Sequence, residues 1–108
     1  MNIFLTGGTG FIGSNFVKLA LSKSHNLKAI KRSKKSDTKI FLKDKPLWII
    51  KDFSDIEIND FENSEVLIHM AAHSANTPYD TLQNCIKFNV SNTIMLFNLA
   101  YEAGIRKF

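Results

Sequence analysis

Residues 2–13 read Asn2-Ile-Phe-Leu-Thr-Gly-Gly-Thr-Gly-Phe-Ile-Gly13. A short apolar run falls into a glycine turn and emerges as an amphipathic stretch. Residues 2–6 are strand-like and Gly7–Gly10 form the turn. From Phe11 the apolar residues recur at helical spacing, which puts Ile12, Phe16, Leu19 and Ala20 on one face with Val17 beside them. Gly8, Gly10 and Gly13 satisfy GxGxxG, and Gly7, Gly10 and Gly13 also fit GxxGxxG. Such a pattern is weak alone, but a strand before it and a helix after it supply the context it requires.

Each glycine has a physical task. One permits the tight turn, one lets a diphosphate approach the backbone, and Gly13 lets the helix lie close on the sheet. The helix N-terminus adds unpaired N–H groups and a partial positive charge. The turn therefore reads as a dinucleotide site, with Gly7, Gly10, Phe11, Ile12 and Gly13 against the cofactor. A GxxxxGK[ST] phosphate loop is excluded, because Ser14 and Asn15 stand where its lysine and hydroxyl residue would be.

Working outward, the first helix should fade near Ser24–Asn26, and Leu27–Ile30 reads as a second strand. Leu47–Ile50 and Val66–Met70 are the third and fourth, with a short helix or turn within Asp55–Ser64. Leu82, Ile86, Val90, Ile94, Phe97 and Tyr101 recur at three- and four-residue steps. They predict one face of a helix of roughly six turns, ended by Gly104. Ile105–Phe108 looks like the approach to a fifth strand. Strands alternating with helices imply parallel βαβ units, an α/β fold with a Rossmann-type doubly wound sheet in the order 3-2-1-4. The expectation is one domain part, residues 1–108, cut after the helix that follows strand 4. That would leave strand 4 as an exposed apolar edge.

The end of strand 2 bears on which dinucleotide fits. An NAD site usually has an acid about twenty residues after the glycines. The window Lys28–Lys35 holds none. A 2′-phosphate would instead be held by Arg32, with Lys31 and Ser33 as neighbours, which favours NADP over NAD. These residues begin a basic run of Lys31, Arg32, Lys34, Lys35, Lys39, Lys43 and Lys45, opposed only by Asp37 and Asp44.

Composition narrows the remaining classes. The 108 residues are 44% hydrophobic and 22% charged with a net charge of +4, as in an ordinary globular domain. No apolar run approaches the ~18 residues of a membrane span, and no secretory signal is evident. The single cysteine, Cys85, cannot form an internal disulfide, which fits a reducing compartment, and the cytoplasm is expected. No nucleic-acid reader motif accompanies the basic run.

At Thr6-Gly-Gly-Thr-Gly-Phe-Ile-Gly13 the chain resembles the extended short-chain dehydrogenase/reductase family, whose members include NAD(P)-dependent nucleotide-sugar epimerases, dehydratases and reductases. The turn matches the family's TGxxGxxG. Lys51-Asp52-Phe53 and Asp55 resemble its strand-3 end, where an Asp and an apolar residue meet the adenine. Val66-Leu-Ile-His-Met-Ala-Ala72 resembles its strand-4 segment, whose alanines, here Ala71 and Ala72, pass beside the cofactor. Asn89-Val90 with Thr93 resembles NVxGT, Asn92 replacing the glycine; that Asn, by resemblance, helps hold the active-site architecture.

The family's chemistry uses a Tyr-x-x-x-Lys pair with a nearby Ser or Thr, located after strand 5. Tyr79 is followed at plus four by Gln83 and Tyr101 by Ile105, so no catalytic residue is assigned and little turnover is expected of these residues. A nucleotide-sugar substrate is expected only of a longer form. The alternatives are a non-catalytic NADP-binding regulatory or assembly module, or a truncated chain without function; a homodimer is left open. His69, inside an apolar strand, reads as a hydrogen-bonded core residue, and His73 and Ser74 follow strand 4 at the ligand edge. No metal set is assembled from His25, His69 and His73. Trp48 and the phenylalanines read as core, and Cys85 as small and semi-buried.

Overall fold

The apolar run before the glycines forms β1 (Asn2–Thr6) in a computed structural model that describes residues 1–108. After the turn come α1 (Phe11–Ser22), β2 (Asn26–Lys31), β3 (Leu47–Ile50) and β4 (Val66–His69). All pairings are parallel and the order is β3-β2-β1-β4, the doubly wound arrangement. Two short 3-10 turns, Phe53–Asp55 and Ile58–Phe61, occupy the segment between β3 and β4. A second helical rod follows β4: α2 (Leu82–Ile86), a π-helical turn (Lys87–Ser91) and α3 (Asn92–Glu102). No helix is long and apolar enough to cross a membrane.

Strand pleating sorts the core into two halves. Ile3 and Leu5 of β1, with Leu27 and Ala29 of β2, face α1 through Val17 and Ala20. Phe4 and Ile30 point the other way, onto Phe61, Leu96, Ala100 and Ile105. The Phe4 and Phe61 rings lie 4.4 Å apart. The sheet is thus sandwiched between α1 and α3.

Both helices end in the same way. Ser24 (φ 61°) follows α1, with His25 N–H donating to the Ala20 carbonyl. Gly104 (φ 97°) follows α3, with Ile105 N–H donating to the Ala100 carbonyl. These are the six-to-one bonds of a Schellman turn.

The faces of the helices correct the sequence reading. In α1 the residues turned to the sheet are Gly13, Ser14, Val17 and Ala20, while Ile12 and Leu19 are exposed. In the second rod Leu96 and Ala100 are buried, and Leu82, Ile86, Val90, Ile94, Phe97 and Tyr101 are all exposed. Apolar spacing alone therefore does not mark which face packs on the sheet. Phe11, Phe41, Phe88, Phe97 and Phe108 are likewise exposed rather than core. As expected, β4 is an edge of the sheet. Leu67 of β4 is 1% exposed, and its N–H donates to the Lys107 carbonyl, a bridge that starts pairing on the free side of β4.

Candidate functional site

The turn after β1 is shaped by what surrounds its glycines. Gly7 has φ 76°, and a Cβ there would lie 2.5 Å from the Ala71 nitrogen and the Met70 carbonyl carbon. Only glycine allows β1 to turn this close to the chain leaving β4. A Cβ on Gly13 would run into the Gly7 carbonyl oxygen, so the first turn of α1 rests directly on the loop. Gly10 is the N-cap, donating its N–H to the Gly7 carbonyl and accepting from Ser14. No side chain caps α1 and no acid stands in its first turn. The N–H groups of Phe11, Ile12 and Gly13 have no acceptor in the chain, while the Phe11 and Ile12 side chains are 69% and 73% exposed. The result is a cluster of free donors at the positive end of a helix dipole.

Beside it, at the carboxyl edge of the sheet, lies a cavity of about 340 Å³. Arg32 after β2, Asp52, Phe53 and Ser54 after β3, and His69, Ala71, Ala72 and His73 at and after β4 form its walls. Lys87, Phe88, Asn89 and Asn92 of the second rod close it. Gly7 abuts Ala71, one of the residues of the cavity wall. Of the residues expected at the ligand, Arg32, Asp52, Phe53, Ala71, Ala72, His73 and Asn89 meet in this cavity, and Gly7, Gly10, Phe11, Ile12 and Gly13 form the adjoining turn. Lys31 stands apart. Its ammonium donates to the Ser36 carbonyl (3.1 Å) and lies over the Trp48 ring, so it holds the basic loop instead of lining the cavity.

The Arg32 side chain is exposed and no acceptor in the chain engages it. Asp52 receives the Phe53 N–H at 2.7 Å, capping the turn after β3. Asn89 holds the loop after β4 with both ends of its amide. Its Oδ1 accepts from His73 N–H (2.8 Å) and its Nδ2 donates to the His73 carbonyl (2.9 Å). Asn89 sits in the π-helical turn, whose extra residue re-aims side chains.

Two histidines differ in role. His69 is half-buried, with Nδ1 2.6 Å from the Thr6 hydroxyl and Nε2 3.1 Å from that of Thr93. The Thr93 hydroxyl donates to the Asn89 carbonyl, so His69 Nε2 must be the donor to Thr93 and Nδ1 the acceptor from Thr6. The ring is neutral in this arrangement, and burial lowers its pKa accordingly. His73 instead donates from Nε2 to Asp80 (2.7 Å) and packs against Phe88, ring centroids 4.5 Å apart. The His73 hydrogen bond, with those of Asn84 and the Thr81 N–H, holds the Asp80 carboxyl down to about 2.

Sequence reading missed Ser54, His69, Lys87, Phe88 and Asn92 in the cavity wall and Asp80 behind His73. His69 and Phe88 read as core and Asn92 only as a departure from the motif, and a π-helical turn leaves no mark in apolar spacing. Asp80 carried no signal, because only the folded loop brings it back to His73.

The sequence matches the NAD dependent epimerase/dehydratase family over residues 3–108. The chain belongs to that family. Among relatives of this epimerase/dehydratase chain, a Synechocystis sp. protein that carries the name dihydroflavonol 4-reductase is 31% identical over 107 residues, covering 96% of this chain and 30% of the relative. The sterol-4-alpha-carboxylate 3-dehydrogenase, decarboxylating, of Dictyostelium discoideum is 27% identical, covering 95% of this chain and 31% of the relative. The chain thus spans about a third of the length of the curated relatives it matches. In fold it is similar to a UDP-glucose-4-epimerase from Stenotrophomonas maltophila, solved with bound NAD and formylated UDP-arabinopyranose. The TM-score is 0.83 at 20% identity, over 98% of this chain and 35% of that one.

Proposed function

We propose that this epimerase/dehydratase-family chain binds a nicotinamide dinucleotide along the carboxyl edge of its sheet, as the cofactor-binding part of an enzyme acting on a nucleotide sugar. One observation carries the reading. The Gly7 and Gly13 Cβ positions are filled by backbone, while three helix N–H groups stay free beside an open cavity. That shape accepts a diphosphate and little else in the same place.

The diphosphate lies on the N–H groups of Phe11, Ile12 and Gly13. The adenine end lies toward Asp52 and Phe53, and Ala71 and Ala72 leave room for the chain of the cofactor. When bound, a nicotinamide dinucleotide accepts or returns a hydride. The residues of this chain bind and orient it, and Asn89 fixes the loop after β4 that forms the far wall. Arg32, with no partner in the chain, faces the 2′ position, which favours NADP over NAD. Lys31, occupied with the basic loop, leaves that contact to Arg32 alone. The solved relative carries NAD by name, so the NADP preference rests on Arg32. A nucleotide sugar finds support in the same relative's UDP-linked ligand, whereas the curated relatives are named for a dihydroflavonol and a sterol carboxylate.

Titration of the chain with NADPH and with NADH tests the cofactor choice. NADPH should bind more tightly, and Arg32→Ala should weaken NADPH about tenfold or more while leaving NADH nearly unchanged, the loss of a charge-assisted contact. Equal affinity of the wild type for the two would remove the 2′-phosphate argument.

A further inference from the structure

The loop after β4 contains an imidazole held from every side. Asp80 accepts from Nε2, the Phe88 ring packs on one face, and Asn89 grips the main chain of His73 at both N–H and carbonyl. Asp80 is itself anchored. Its backbone N–H donates to Ser74 Oγ (2.7 Å), and its Oδ1 accepts from Thr81 N–H and Asn84 Nδ2. Six residues therefore fix one ring in a cavity wall, and Nδ1 of that ring has no partner in the chain. His69, by contrast, uses both ring nitrogens within the chain.

We propose that His73 is a ligand-positioning residue whose Nδ1 accepts a hydrogen bond from a sugar hydroxyl in the cavity, and that Asp80 sets the tautomer that makes this acceptor available. The inference rests on the reading of the cavity as a dinucleotide site and deepens it. With Nε2–H committed to Asp80, the neutral ring can present only a lone pair at Nδ1. Asp80 stays ionised at all ordinary pH, its carboxyl being held down to about 2. The pair carries a full negative charge while the ring is neutral, so it repels phosphate and suits a hydroxyl donor. Phosphate chemistry belongs to the opposite side, at Arg32 and the start of α1. The other charged groups around the ring are Lys87 on the second rod and Arg32 and Asp52 across the cavity. The hydroxyl has two sources, a ribose of the dinucleotide or the sugar of a substrate.

Side-chain 15N spectra of the labelled full chain test this directly, with NADPH alone and UDP-glucose alone as probes, across about pH 5 to 8 where imidazoles titrate. In the free protein at the alkaline end, Nδ1 of His73 should be the unprotonated nitrogen. It should shift on adding NADPH if the ribose is the donor, or UDP-glucose if the substrate is. Asp80→Asn should mix the two tautomers and weaken the ligand that moved Nδ1 by about threefold to tenfold, one neutral hydrogen bond. The proposal is overturned if the neutral ring carries its proton on Nδ1, a result that requires no variant to fold. It is also overturned if the amides of Phe11–Gly13 respond to NADPH while Nδ1 responds to neither probe; the dinucleotide reading would then survive. Silence of both the amides and Nδ1 would sink both.

Discussion

At the scale of the residue, the glycine turn was the most legible part of the chain, because its constraint is steric and local. Gly13 and Gly104 show how differently a glycine can matter. A methyl on Gly13 meets the Gly7 carbonyl, whereas one on Gly104 meets nothing within 4 Å and is opposed only by the left-handed backbone. Gly13→Ala should cost about 1–3 kcal/mol, as overpacking does, and abolish dinucleotide binding. Gly104→Ala should cost about 1 kcal/mol and leave binding intact. Urea denaturation and an NADPH titration of both variants separate the two effects. His69 was legible as a core histidine but not as the neutral link between Thr6 and Thr93, since neither threonine is near it in sequence. Its pKa is lower in the folded than in the unfolded chain, so between the two values the unfolded chain binds more protons. Its contribution to stability is complete above about pH 6.5 and is lost as pH falls toward the folded value. Thermal denaturation against pH should show a loss of Tm on acidification that is smaller in His69→Gln. Parallel curves for the two proteins would refute this.

At the scale of the element, spacing found the helices, placed Val17 and Ala20 of α1 correctly and missed the sheet-facing side of the second rod. Periodicity only counts apolar residues, so the stripe Leu82, Ile86, Val90, Ile94, Phe97 and Tyr101 outweighed Leu96 and Ala100, which meet the sheet. Burial reverses the ranking: Leu96 is fully buried and Ile94 is 56% exposed. Leu96→Ala should therefore destabilise by about 2–5 kcal/mol. Ile94→Ala should change stability by no more than about 0.5 kcal/mol. Equal losses in chemical denaturation would restore the face read from the sequence. The π-helical turn belongs to the same lesson. It carries Asn89 to the His73 main chain, and the motif showed that an Asn belongs there without showing the inserted residue that aims it.

At the scale of the whole molecule, alternating strands and helices were enough to give the strand order, because a parallel sheet with short connections has few alternatives. The site followed from that order. The ends of β2, β3 and β4 converge on one edge, and residues far apart in the chain, from Arg32 to Asn89, come to line one cavity beside the turn. What sequence could not supply was the orientation of individual groups: Lys31 folded back over its loop, Arg32 left free, and Asp80 returned to His73. Each depends on loop geometry set by long-range contacts. The central claim is that a dinucleotide lies across this edge with its diphosphate on the start of α1. The most direct measurement is a backbone amide spectrum of the 15N-labelled chain titrated with NADPH. Saturable shifts should be largest at Phe11, Ile12 and Gly13 and continue through Phe53 and Ala71 to His73. An unchanged spectrum, or shifts confined to the exposed stripe of the second rod, would contradict the claim.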